Sequence, residues 1–94
     1  MLDGVEKYSQ YKKDLKLMKK QGKDIPLLQA IIVELFNENP LPPHNKDHNL
    51  VGNYKGHREC HIQPDWLLIY KIRAEGEERF LVLVRTGTHS DLLE

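Results

Sequence analysis

The sequence predicts an α+β fold, with a helical hairpin packed on one face of a small, mainly antiparallel twisted sheet. Three observations predict it. Apolar residues recur at helical spacing through the first third of the chain, the period switches to two from His57 onward, and the period-two segments are joined by turns too short for parallel crossovers. With 94 residues, the chain reads as a single domain over 1–94.

Taken in order, Val5–Tyr8 reads as a short strand, and Ser9 as the cap of a first helix over about residues 10–21. Tyr11, Leu15 and Met18 recur there with lysines between them, and Gly22 supplies the stop. Asp24 caps a second helix, with Pro26 tolerated in its first turn. Its stripe of Leu28, Ile31, Ile32, Leu35 and Phe36 runs to about Asn37. Asn37–Asn53, rich in Asn, Pro and His, reads as an ordered loop, because about 17 residues without regular structure are uncommon in a small domain and usually functional. His57–Ile62, Trp66–Ile72 and Arg79–Arg85 follow as three strands, with turns around Gln63-Pro64-Asp65 and Ala74-Glu75-Gly76-Glu77.

The charge balance excludes less than it first suggests. Fourteen Lys and Arg offset fourteen Asp and Glu. Between Lys12 and Lys23, however, Lys12, Lys13, Lys16, Lys19, Lys20 and Lys23 face a single acid, Asp14, which leaves +5 in one stretch. Cys60 is the one cysteine, so neither a disulfide framework nor a four-thiolate zinc site can form within the chain. The longest apolar runs, Trp66–Tyr70 and Phe80–Val84, are far short of the roughly 20 residues that span a bilayer. The start, Met1-Leu2-Asp3-Gly4, has no basic-then-apolar leader, so no membrane partner and a cytoplasmic location are expected.

Strand alternation puts His57, Glu59 and His61 on one side and Arg58, Cys60 and Ile62 on the other. Cys60 and Ile62 suit a core, so the ionisable trio is expected to face solvent or a cleft. Asp65-Trp66 follows in the next turn and His89 after the third strand. If the hairpin brings Arg85–His89 alongside, several histidines, two carboxylates, an arginine and an aromatic meet, an inventory for acid–base catalysis with a phosphate stabiliser.

Lys46-Asp47-His48-Asn49-Leu50, then Gly52 through Tyr70 with its Arg58-x-x-His61-x-x-x-Asp65-Trp66 pattern, then Arg85-Thr86-Gly87-Thr88-His89-Ser90, closely resemble the YafQ branch of the RelE/ParE toxin superfamily. The resemblance covers nearly the whole chain. It implies a RelE-like microbial ribonuclease fold and a toxin of a type II toxin–antitoxin pair that cuts messenger RNA in the A site of a translating ribosome. By position it implies catalytic roles for His48, His61, Asp65 and His89. Glu59 stands where the best-known relatives carry Asp. Trp66 matches an aromatic beside the site, Arg85 an arginine suited to the scissile phosphate, and Leu93 a position where a close relative carries Phe. The lysine-rich helix would dock on ribosomal RNA. The implied partners are the ribosome, messenger RNA and an antitoxin of the ribbon-helix-helix, DinJ-like kind, with operator DNA bound through the toxin–antitoxin complex alone. No cofactor or metal is expected.

Rival readings stay open on the residues themselves. Three histidines and an aspartate could close a zinc shell, although no paired ligand spacing of zinc-finger or H-E-x-x-H type is present. A gyrase-directed toxin or a corepressor on the same scaffold would need no titratable set. Trp66 could share a core face with Leu68 and Tyr70, while His44 and His57 read as bystanders.

Overall fold

The computed structural model describes residues 1–93. In chain order the elements are β1 (Gly4–Lys7), α1 (Ser9–Lys20), α2 (Ile25–Phe36), β2 (His48–Asn49), β3 (Arg58–Gln63), β4 (Trp66–Glu75), β5 (Glu78–Gly87) and α3 (His89–Leu93). Single 3-10 turns at Pro43–Asn45 and Gly52–Tyr54 lie in the long loop. The strands form one five-stranded sheet in the order β1-β5-β4-β3-β2. β1 runs parallel to β5, and every other pairing is antiparallel.

The helical hairpin covers one face. Tyr11 and Met18 of α1 and Leu28, Ile31 and Leu35 of α2 are buried against Cys60, Ile62, Trp66, Leu68, Tyr70, Leu81 and Leu83. Each such side chain contributes roughly 1.5–3 kcal/mol by leaving water, enough to hold the hairpin on the sheet. The other face carries a second, smaller cluster that periodicity does not announce. Leu67, Ile69, Val82 and Val84 are covered by Leu92 of α3 and by Leu50 and Tyr54 from the long loop.

Several boundaries differ from expectation for identifiable reasons. Ser9 does not cap α1. Tyr8 occupies the cap position without a side-chain hydrogen bond, and its N–H donates to the Leu83 carbonyl at 3.0 Å. The β1–β5 ladder therefore delivers the chain into the helix. Asp24 does cap α2, its carboxylate accepting from the Leu27 N–H at 3.4 Å. β4 and β5 extend to a two-residue turn between Glu75 and Glu78, where Gly76 takes φ +60°. The loop holds a two-residue strand, β2, that pairs His48 with Glu59 and Asn49 with Arg58.

β5 contains a bulge. Ile69 pairs with Arg85 while Tyr70 pairs with Leu83, so Val84 is an extra residue. Beyond it the alternation of β5 is shifted by one. Arg85 shares the sheet face of Ile69, and Thr86 turns to the helix-covered face.

Candidate active site

The face away from the helical hairpin carries the ionisable residues. Cross-strand neighbours share a face, so the register His48–Glu59–Ile69–Arg85 forms one row and His61–Leu67–Gly87 the next. Glu59 is not exposed as alternation alone suggests. It is 3% exposed, with Oε1 standing 3.6 Å from His48 Nε2 and 3.7 Å from His61 Nε2. Its Oε2 is buried without a hydrogen-bond partner among the described residues. A carboxylate under two imidazoles supplies a charge to which either ring can respond on taking a proton.

His48 is held by its own loop. Its Nδ1 lies 2.6 Å from the Lys46 carbonyl oxygen. A carbonyl can only accept, so Nδ1 carries a proton, and it is Nε2 that is left to give or take one. Lys46 adopts a left-handed conformation, φ 48° and ψ 46°, which costs a non-glycine residue of order 1 kcal/mol. That conformation places the carbonyl under His48. Behind the loop, Arg58 donates from Nε to Asp47 (3.2 Å) and from Nη1 to Asn49 (2.7 Å), and the Tyr70 hydroxyl donates to Asp47 at 2.7 Å. The residues on both sides of His48 are thus pinned to β3 and β4.

Asp65 and His89 form the second unit. Asp65 Oδ1 accepts from His89 Nδ1 at 2.6 Å and from the His89 backbone N–H at 3.1 Å. These bonds, with a smaller contribution from the nearby Lys23 ammonium, hold the Asp65 carboxyl below the usual carboxylate range. Asp65 therefore stays ionised and serves better to orient His89 than to accept a proton. His89 Nε2 is left facing outward. The His61 and His89 rings meet edge-on at 5.6 Å, which joins the two units.

Other expected residues fall differently. Trp66 is fully buried in the helix-side core, with Nε1 donating to Thr86 Oγ1 at 2.9 Å. Its parity in β4 is that of Leu68 and Tyr70, so it supports the turn carrying Asp65 from beneath and presents no surface on the site face. Arg85 lies on the site face but is bound by Asp14, from Nε at 2.7 Å and from Nη2 at 3.1 Å. Lys12, Lys13, Lys16, Lys19 and Lys20 are exposed and Lys23 is half-buried. At 100° per residue, those within α1 fall along one stripe. The side chain of Leu93 lies outside the described residues. His57 packs edge-on to Tyr54, 5.6 Å away, ahead of β3. Cys60 is buried, its thiol pushed up to about 12 by desolvation, and is chemically inert.

Asp14, Asp47, Asn49 and Tyr70 are supports that sequence reasoning misses. Asp14 has a signal, because it sits three residues after Tyr11 and four before Met18, on the apolar stripe of α1. An acid there requires a partner.

Residues 4–94 match the family model described as the bacterial toxin of type II toxin–antitoxin system, YafQ. The mRNA interferase toxin YafQ of Escherichia coli strain K12 is 44% identical over 89 residues, 94% of this chain and 92% of that protein. The fold is similar to that of the toxin in the E. coli DinJ–YafQ toxin–antitoxin complex, with a TM-score of 0.84 and 42% identity over 99% of this chain and 98% of the other. It is also similar to a metal-bound toxin from Helicobacter pylori, with a TM-score of 0.87 and 45% identity over 99% and 100%. Among the described residues here, no group of three or more His, Cys, Asp or Glu side chains is arranged to hold a metal ion.

Proposed function

The chain belongs to the YafQ family of type II toxins, and on that premise we propose that it is a ribosome-dependent mRNA endoribonuclease working by metal-independent acid–base catalysis. The observation that carries this reading is the pair of histidines whose Nδ1 atoms are both committed, His48 to a carbonyl and His89 to Asp65, leaving two Nε2 atoms on one sheet face for substrate.

Cleavage requires the ribose 2′-hydroxyl to lose its proton as its oxygen attacks the adjacent phosphorus, and the departing 5′-oxygen to gain one. The products are a 2′,3′-cyclic phosphate and a free 5′-hydroxyl. A ring capped by a neutral carbonyl suits the role of base, so His48 Nε2 takes the 2′-proton and its new charge faces Glu59. A ring with an anionic partner suits protonation at both nitrogens, so His89 Nε2 gives its proton to the 5′-oxygen. His61, between the two, contacts the phosphate. Arg85, oriented by Asp14, offsets the charge that grows on the phosphorane.

The lysine stripe ends at Lys23, whose ammonium acts on Asp65, so a surface that docks on ribosomal RNA phosphates would lead directly to the site. A ribosomal target places the protein in the cytoplasm, and no helix among the described residues is long and apolar enough to cross a membrane. As the E. coli relative was crystallised with DinJ, the partner in this reading is a ribbon-helix-helix antitoxin, and operator DNA is bound through that complex.

Induced expression with and without the antitoxin gene, followed by mapping of mRNA 5′ ends, tests the proposal. In-frame cuts within codons should appear, and should vanish in His89→Ala without loss of folding. Unchanged toxicity of that variant would refute the acid assignment. Intact messages with altered DNA supercoiling would refute the nuclease.

A further inference from the structure

A recess of about 270 Å³ opens beside His61, lined by His44, Lys46, His61, Ile62, Gln63 and Pro64. It lies at the free edge of β3, beyond the end of β2, where the Pro43–Asn45 turn packs against the strand. Asn45 fixes this wall, since its buried side chain donates from Nδ2 to the His61 carbonyl at 2.7 Å. Ile62 and Pro64 give apolar surface. His44, Lys46 and Gln63 are exposed at the rim, and none of their side chains has a hydrogen bond or ion pair among the described residues.

We propose that this recess is a nucleobase subsite, which holds the base of an mRNA nucleotide adjoining the cleaved phosphate and thereby sets sequence preference. The inference rests on the endoribonuclease reading. Three features argue for it. The volume is below the roughly 300–1,000 Å³ of pockets that enclose drug-sized ligands, yet it suffices for one planar heterocycle. Single-stranded RNA is read by splaying bases onto aromatic or apolar surfaces and hydrogen-bonding their edges. Here the His44 imidazole and Pro64 supply surface, Gln63 both a donor and an acceptor, and Lys46 a cation for the adjoining phosphate. Finally, His61 forms a wall of the recess and a member of the catalytic face at once. A base seated against it is one nucleotide from the phosphate that His61 contacts, so occupancy and bond choice are coupled. This gives His44, a bystander by sequence, a task outside proton transfer.

Ribosomes programmed with a mixed-codon message would be treated with the unmodified toxin, His44→Ala and Gln63→Ala, each variant first shown to be folded by its thermal melt. The 5′ ends would then be counted. Loss of one base-edge hydrogen bond should reduce discrimination at one nucleotide position beside the cut on the order of tenfold. Cuts at previously disfavoured codons should rise relative to the preferred one. Unchanged base preference in both variants, an equal fall at all codons, or an unmodified toxin with no preference at the neighbouring positions would each overturn the subsite. An unmodified toxin that makes no cuts would defeat the endoribonuclease reading itself, and the recess would lose its substrate with it.

Discussion

Replacing Asp14 by Ala should reveal how Arg85 is held on the site face. The carboxylate is 7% exposed and accepts four hydrogen bonds: from Gln10 Nε2 at 3.0 Å, from Arg85 Nε at 2.7 Å and Nη2 at 3.1 Å, and from the Thr86 backbone N–H at 3.2 Å. Removing one member of a buried ion pair costs about 3–5 kcal/mol. The Arg85 side chain is 24% exposed and can rehydrate in part, which favours the lower end. The orphaned Thr86 N–H at the strand edge restores some of the cost. About 3 kcal/mol is expected, against a total stability of roughly 5–14 kcal/mol for a chain of this size. Asp14→Ala should therefore remain folded at 25 °C, with urea unfolding shifted by about 3 kcal/mol. Asp14→Asn, which keeps an acceptor for Thr86, should lose about half as much. Cleavage by the folded Ala variant should fall further than its folded fraction, because Arg85 is no longer aimed. A destabilisation under about 1 kcal/mol, or wild-type cleavage, would refute the account of this buried pair.

Four further outcomes are expected. In NMR titrations the Asp65 carboxyl should titrate below the ordinary value near 3.9 and move back toward it in His89→Ala; because the folded value is depressed, its stabilisation is present above the unfolded value and lost as pH falls through the folded one. Tyr70→Phe removes the hydroxyl clamp on Asp47, and should cost about 1–2 kcal/mol in urea unfolding and lower kcat more than it raises KM, since it loosens His48 rather than substrate. Converting Lys16, Lys19 and Lys20 to Ala should flatten the salt dependence of ribosome binding by roughly 0.7–0.9 in log–log slope for each phosphate no longer neutralised, read by co-sedimentation. Stoichiometric zinc should leave the thermal midpoint of tag-free protein unchanged, whereas a rise of several degrees would show that the histidines do hold metal.

Much of this architecture is legible from periodicity. The two helices, the three long strands and their order follow from spacing alone, because each element buries one face. The site is legible in part. The strand pattern puts Glu59 and His61 on one side, but pattern cannot say that the long loop brings His48 over Glu59 and buries it. Trp66 is readable as core from its parity with Leu68 and Tyr70, and the resemblance to relatives pulls the expectation toward the substrate. Asp14 looks like a diluent among lysines because its partner, Arg85, lies 71 residues away. Neither the second apolar cluster nor the parallel β1 pairing has a local signature, since both depend on packing between segments distant in the chain.

The extra residue in β5 gives the strand a spare position that its register does not need. Val84 and Arg85 share one side of the sheet only because the strand carries one residue more than its partner between the Leu83 and Arg85 pairings. Deleting Val84 would close the bulge and restore regular alternation, with the Tyr70–Leu83 and Ile69–Arg85 pairings and the faces of Leu83 and Arg85 unchanged. What it would remove is one apolar side chain from the second cluster, together with the local bend that a bulge gives its strand. An in-frame loss of this one codon should therefore leave the row His48–Glu59–Ile69–Arg85 in register, whereas loss of Leu83 or of Arg85 would not.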